Sequence, residues 1–215
     1  MSIKLAARVQ AVKPSATLAI TARAKALRAA GKDVIGLGAG EPDFDTPDHI
    51  KAAAIKAIHD GFTKYTAVDG TPELKAAIAA KFQRENGFEF APEQILVSCG
   101  GKQSFYNLAQ AILDPGDEVV IPAPYWVSYP DMVLLAGGAP VLVHAGADQR
   151  FKMSPAQLRA ALNEQTKLVV INSPSNPTGM AYTRAELEAL GEVLREYPRA
   201  VLATDDMYEH IRWGE

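Results

Sequence analysis

Several groups of residues in this chain combine types and spacings that can do chemistry. The run Leu168-Val169-Val170-Ile171-Asn172 reads as a strand buried on both faces, and it opens at once into Ser173-Pro174-Ser175-Asn176-Pro177-Thr178-Gly179. Ligands of parallel α/β sheets bind outside the carboxyl ends of the strands. Proline limits the backbone, so Asn176 is expected in a set pose. In Ser98-Cys99-Gly100-Gly101-Lys102-Gln103-Ser104 a strand passes through two glycines into a helix start. Free N–H groups and the helix dipole favour an anion there, and glycine lets a phosphate approach the backbone. A plain βα turn is an even rival, and the P-loop spacing is absent. Ala123-Pro124-Tyr125-Trp126 puts an aromatic at a strand end, where it can stack on a flat ring, although core packing is the commoner fate. Asp205-Asp206-Met207-Tyr208 follows the apolar Ala200-Val201-Leu202-Ala203. A carboxylate at the end of a buried strand needs a partner. A protonated ring nitrogen would serve, whereas a helix N-cap is the plainer role for Asp205. Tyr208 would reach the same place.

Other features point to less. Gly36-Leu37-Gly38-Ala39-Gly40 lacks the third glycine position and the following helix of a dinucleotide fingerprint, so it reads as a glycine turn with backbone N–H groups near a ligand. The four histidines show no metal spacing, and the single cysteine, Cys99, excludes an internal disulfide framework. Cys99 is expected to be a small buried hydrophobe rather than a nucleophile. Asn176-Pro177-Thr178 is no glycosylation site because its middle residue is proline.

The elements that must position these groups alternate between strand and helix, which argues for α/β with a parallel sheet. Start and stop signals place helices over 16–30 (cap Ser15, Gly31 beyond), from Thr46 and Pro47 to Gly61, and from Thr71 and Pro72 to Gly87. Further helices are expected from Gly101 to about Leu113, over 128–136, from Ser154 to about Leu162, and from Thr183 to about Glu196. Strands are expected at 34–37, 95–98, 118–121, 141–144, 168–172 and 200–204. The 215 residues allow one to two domains. With 48% hydrophobic and 22% charged residues the composition is that of an ordinary globular protein. A net charge of −3 offers no basic footprint for nucleic acid. No apolar run is long enough for a membrane span and no secretory signal opens the chain, so a cytoplasmic location is expected. The βα rhythm stops at Glu215 without a cap or polar tail, as in a fragment of a longer protein.

Each signal is weak alone, but together they line the ends of successive strands: a phosphate cup, an aromatic plate, an asparagine, then a carboxylate with a tyrosine. That set fits a flat, phosphorylated, pyridine-type cofactor, pyridoxal 5′-phosphate. With these residues in view, the chain resembles the class I/II aminotransferases of fold type I, most of all the bacterial aspartate aminotransferases. The markers include Lys13-Pro14-Ser15-Ala16-Thr17, Gly40-Glu41-Pro42-Asp43-Phe44, Lys64-Tyr65, Gly100-Gly101-Lys102-Gln103, Pro124-Tyr125-Trp126-Val127-Ser128-Tyr129, Asn176-Pro177-Thr178-Gly179 and Asp205-Asp206-Met207-Tyr208-Glu209. The resemblance implies a mainly parallel, mixed sheet flanked by helices, with 1–45 as an N-terminal arm and part of a small domain, and 46–215 as an incomplete cofactor-binding large domain. It also implies roles. Gly101 and Lys102 would hold the cofactor phosphate, Trp126 would stack on the pyridine ring, and Asn176 and Tyr208 would bind its phenolic oxygen. Asp205 would pair with the ring nitrogen, keeping it protonated so that the ring can act as an electron sink. Gly40 would offer its backbone to the substrate α-carboxylate, with Trp126 and Asn176 also bordering the substrate. Ser15, Thr17 and Lys102 would select an acidic side chain. Tyr65 would reach the cofactor phosphate of a partner subunit, which implies a homodimer.

The expected reaction moves the amino group of an amino acid, aspartate first, to a 2-oxo acid such as 2-oxoglutarate. The family's Schiff-base lysine lies well beyond the Asp-x-x-Tyr motif, and this chain has no lysine after Lys167. The family's late arginine for the substrate carboxylate has no match either. No catalytic residue is therefore assigned within the chain, and activity is expected only of a longer parent. Within the same fold a C–S lyase or an aromatic amino acid aminotransferase remains an alternative, to be separated by products. A non-catalytic binding domain, as in some transcription regulators, would carry a helix-turn-helix ahead of the domain, and Gly40-Glu41-Pro42-Asp43 stands too close to Met1 for one.

Overall fold

The computed structural model describes residues 3–38 and 40–213. Ala39 of the glycine turn and the last two residues of the chain lie outside the described residues. The chain divides into two compact units, one of residues 14–98 and the other of residues up to 13 together with 99 onward.

The second of these carries a four-stranded sheet, β1 (Glu118–Ala123), β2 (Ala139–His144), β3 (Thr166–Asn172) and β4 (Val201–Asp205), in the order β2-β1-β3-β4. Every pairing among the described residues is parallel, as a mainly parallel α/β sheet requires. The unit's helices are α1 (Ala7–Gln10), α5 (Gly101–Ile112), α6 (Ser128–Ala136), α7 (Pro155–Ala161) and α8 (Arg184–Arg195); α1 is a single turn without a sequence signal. The two-residue period of the strands sorts the core into two layers. Val119, Ile121, Leu168 and Val170 pack with Phe105, Tyr129 and Val133 of α5 and α6. The intervening Val120, Val169 and Ile171 pack with Leu158, Leu190 and Val193 of α7 and α8. Because both faces are covered, β3 reads as a continuous apolar run, with Leu168 to Ile171 at most 5% exposed. The strand 200–204 was expected to be buried, but β4 is an edge strand and leaves Val201 and Leu202 exposed.

Helix caps follow the sequence signals closely. Ser154 and Thr183 form capping boxes with Gln157 and Glu186. In both cases the side chain three residues on returns the hydrogen bond.

The 14–98 unit holds α2 (Ala16–Ala29), α3 (Asp48–His59) and α4 (Pro72–Lys81), followed by a π turn over Phe82–Asn86 that Gly87 closes with a left-handed φ of 72°. Ser15 and Thr71 cap α2 and α4 as read from the sequence. α3 starts one residue later than expected, with Pro47 in the cap position and no side-chain cap, so Thr46 does not serve. The strands expected at 34–37 and 95–98 are absent. Arg28 Nε donates to the Val34 carbonyl at 2.8 Å, and a Cβ at Gly38 would lie 2.9 Å from Ile20 Cγ2, so this stretch lies along α2. Val97 N donates to the Asp69 carbonyl at 3.0 Å, and a Cβ on Gly70 would come within 2.5 Å of Val97. That contact, with a φ of +110°, demands glycine at position 70. In each stretch the backbone hydrogen bond goes to a helix side chain or a turn instead of a strand.

Candidate functional site

The strand order locates the site. From β1 the chain crosses to β2 on one side and later to β3 and β4 on the other, so the direction of winding reverses between β1 and β3. Ligands of open α/β sheets bind at such a switch point, outside the carboxyl ends of the strands. The segment after β1 brings Trp126, the segment after β3 brings Asn176, and β4 ends on Asp205.

The side chains at this edge touch in sequence. Lys102 Nζ lies 5.2 Å from the centroid of the Trp126 ring. Trp126 meets Tyr129 edge-on, 5.2 Å between centroids and 88° between planes. The Tyr129 hydroxyl donates to Asp205 Oδ2. Asn172 Nδ2 donates to the Asp205 carbonyl at 2.8 Å, and Asn176 N donates to Asn172 Oδ1 at 2.7 Å. Asn176 Nδ2 reaches the Tyr208 hydroxyl at 3.4 Å, a long contact. A Cβ built on Gly101 would meet Met207 Cε at 3.7 Å, so the start of α5 lies beside the turn that follows β4.

The residue types suit an anionic, flat-ringed group. Gly100 has a φ of +88° and open space where a side chain would stand. Gly101 and Lys102 open α5, so their N–H groups have no intrahelical acceptor. These donors, the helix dipole and the Lys102 ammonium gather positive charge at one end of this chain of contacts. At the other end stands the Asp205 carboxylate. Its Oδ1 also accepts from Met207 N at 3.2 Å, so the plainer turn-capping role is present as well. Burial first, then the Asp205 carboxylate, pushes the Tyr129 phenol well above its ordinary pKa. Tyr129 therefore stays a neutral donor to Asp205. The residues present fit pyridoxal 5′-phosphate: a cup for phosphate, a plate for the ring, and a carboxylate for the ring nitrogen.

Among the expected site residues the structure thus brings together Gly101, Lys102, Trp126, Asn176, Asp205 and Tyr208. Ser15, Thr17, Gly40 and Tyr65 lie in the 14–98 unit. There the Ser15 hydroxyl accepts from Leu18 N at 3.3 Å as the cap of α2, Thr17 sits in the first turn, a Cβ on Gly40 would meet nothing, and Tyr65 is fully exposed. Cys99, expected to be buried, is exposed, because it lies on the turn into α5 and not inside a strand. Two members of the chain of contacts had no separate reading. Tyr129 is marked only by standing three residues after Trp126, and Asn172 only by being the polar end of an apolar run. A recess of about 430 Å³ lies at the starts of α7 and α8, lined by Lys152, Ser154, Tyr182 and Glu186 among others. Its charges are spent on each other, since Lys152 Nζ is 2.5 Å from Glu186 Oε1.

A parallel α/β unit with an anion cup, an aromatic plate and a carboxylate gathered at its switch point suits a cofactor-dependent enzyme. The family model described as "Aminotransferase class I and II" matches residues 32–215, and the chain belongs to that family. Members of the family depend on pyridoxal 5′-phosphate. The aspartate/prephenate aminotransferase of Nitrosomonas europaea is 65% identical over 209 residues, covering 97% of this chain and 53% of the relative. The aspartate aminotransferase of Bacillus subtilis is 56% identical, covering 99% of the chain and 54% of the relative. Among solved structures, the aspartate aminotransferase from Rhizobium meliloti superposes with a TM-score of 0.95 at 52% identity, covering 99% of this chain and 53% of that one. That of Thermus thermophilus with maleate also gives 0.95, at 50% identity, covering all of this chain and 56% of that one. The chain spans about half the length of the curated relatives it matches.

Proposed function

We propose that this chain forms the cofactor-holding part of an aminotransferase of its relatives' length, one that moves the amino group of aspartate to a 2-oxo acid. The chain of contacts from Lys102 through Trp126, Tyr129 and Asp205 to Asn172, Asn176 and Tyr208, with Gly101 beside Lys102 at the start of α5, is the observation that supports the reading. Gly101 and Lys102 hold the cofactor phosphate, and Trp126 lies against the ring. Asn176 and Tyr208 donate to the phenolic oxygen, and Asp205 holds the proton on the ring nitrogen. Bound there, the cofactor supplies an electron sink for the pair left when the substrate Cα–H bond breaks. The lysine that takes that proton belongs to the part of the relatives' length beyond Glu215. Gly40 receives the substrate α-carboxylate, and Ser15, Thr17 and Lys102 select an acidic side chain. Tyr65 serves the site of a second subunit in a homodimer, with residues 1–45 as an N-terminal arm and part of a small domain and 46–215 as an incomplete cofactor-binding large domain. 2-Oxoglutarate is the expected acceptor. Prephenate is a second, because relatives such as that of Nitrosomonas europaea carry it in their names.

The test uses the whole protein. Aspartate and 2-oxoglutarate should yield glutamate and oxaloacetate, and borohydride should trap the cofactor on a lysine. Asp205→Ala should lower turnover on the order of 100-fold or more while the fold persists. Turnover unchanged by Asp205→Ala, or pyruvate and ammonia from cysteine conjugates in place of glutamate, overturns the reading.

A further inference from the structure

We propose that Asn172 is a positioning residue, a two-ended clamp that sets the ring-nitrogen carboxylate and the phenolic-oxygen amide in register with each other. The inference rests on the cofactor reading above and assigns a role to a residue that would touch neither cofactor nor substrate. Asn172 is the last residue of β3, and Asp205, its ladder partner, is the last residue of β4. The ladder ends at this rung, so it does not fix the spacing of the segments that follow. The Asn172 carboxamide takes over at that point. Its Nδ2 donates to the Asp205 carbonyl at 2.8 Å, and its Oδ1 accepts from Asn176 N at 2.7 Å. Both bonds lie within the range of well-formed N–H···O contacts, whereas the direct Asn176–Tyr208 contact at 3.4 Å is long. One planar group thus joins the residue that faces the ring nitrogen to the residue that faces the phenolic oxygen. Those two atoms belong to one rigid ring, so the spacing of their partners must match it. A carboxamide has a donor and an acceptor at a fixed separation. No other side chain of this size offers both; aspartate keeps only the acceptor and leucine neither.

The two halves of the clamp can be read apart in the whole protein loaded with ring-¹⁵N-labelled pyridoxal 5′-phosphate. The ¹⁵N signal reports the proton on the ring nitrogen, and the pH midpoint of the visible absorption band reports hydrogen bonding at the phenolic oxygen. Asn172→Asp retains an acceptor for Asn176 N and sets an oxygen against the Asp205 carbonyl. It should shift the ¹⁵N signal and lower kcat about tenfold, with the absorption midpoint and the KM for aspartate nearly unchanged. Asn172→Leu should move both signals. If Asn172→Leu does not fold, the split in Asn172→Asp alone decides. Equal movement of both signals in Asn172→Asp, or none, overturns the clamp, as does a kcat that follows thermal stability alone. Failure of the unmodified protein to bind the cofactor would instead overturn the function proposed above.

Discussion

Tyr129 ties the ring plate to the carboxylate: its edge meets Trp126 and its hydroxyl donates to Asp205. At 2% exposure its phenol is poorly placed to ionise, and the adjacent carboxylate opposes ionisation further. A folded pKa raised above the unfolded value near 10 means that the stabilisation is complete below about pH 10 and lost as pH rises beyond it. The unfolding free energy should therefore fall on the alkaline side. Tyr129→Phe should flatten part of that fall and lower stability at neutral pH by about 1–2 kcal/mol. Urea unfolding between pH 7 and 11 measures both effects. An alkaline limb with the same slope in Tyr129→Phe would remove Tyr129 from this account.

Among the elements, α8 shows how a cap and a charge pair combine. Glu186 accepts from Thr183 N at 2.7 Å while its other oxygen receives Lys152 Nζ at 2.5 Å. The Lys152 bond first, then the Thr183 backbone bond, holds the Glu186 carboxyl below its usual range. The stabilisation is present above the unfolded pKa near 4.3 and is lost as pH falls through the lower folded value. The pair is also lopsided, with Lys152 side chain 8% exposed and Glu186 41%. Glu186→Gln keeps the capping geometry and leaves a buried ammonium without a counter-charge. Lys152→Met leaves a carboxylate that water already reaches. Glu186→Gln should thus destabilise by about 1–3 kcal/mol, and by more than Lys152→Met, with a flatter acid limb. The reverse order in thermal or urea unfolding would show that Lys152 is solvated in solution.

For the molecule as a whole, the apolar surface left open matters most. α3 buries no residue and exposes Ile50, Ile55 and Ile58, and the edge strand β4 exposes Val201 and Leu202. Apolar patches and unpaired strand edges of this kind drive association. The 215-residue chain by itself is expected to self-associate and to show no turnover with aspartate and 2-oxoglutarate. Sedimentation and a glutamate assay check both. A monodisperse chain with a cooperative melt counts against the first expectation, and glutamate formation against the second.

Sequence signals that act within a few residues were legible. The caps at Ser15, Thr71, Ser154 and Thr183, the apolar run of β3 and the glycine pair at the start of α5 each depend on local chemistry, and each stands where the sequence places it. The stretches 34–37 and 95–98 misled because a short extended run is a strand only when another strand supplies its hydrogen bonds, and here Arg28 and Asp69 supply them. Edge or centre in the sheet, which decided the exposure of β4, is likewise a property of neighbours. The candidate site divides in the same way. Trp126, Asn176 and Asp205 announce themselves by type and by place at strand ends. The link of Tyr129 to Asp205 and the two bonds of Asn172 span 76, 33 and 4 residues. The two long ones exist only because parallel β1, β3 and β4 end side by side, so tertiary structure alone turned separate residues into one chain of contacts.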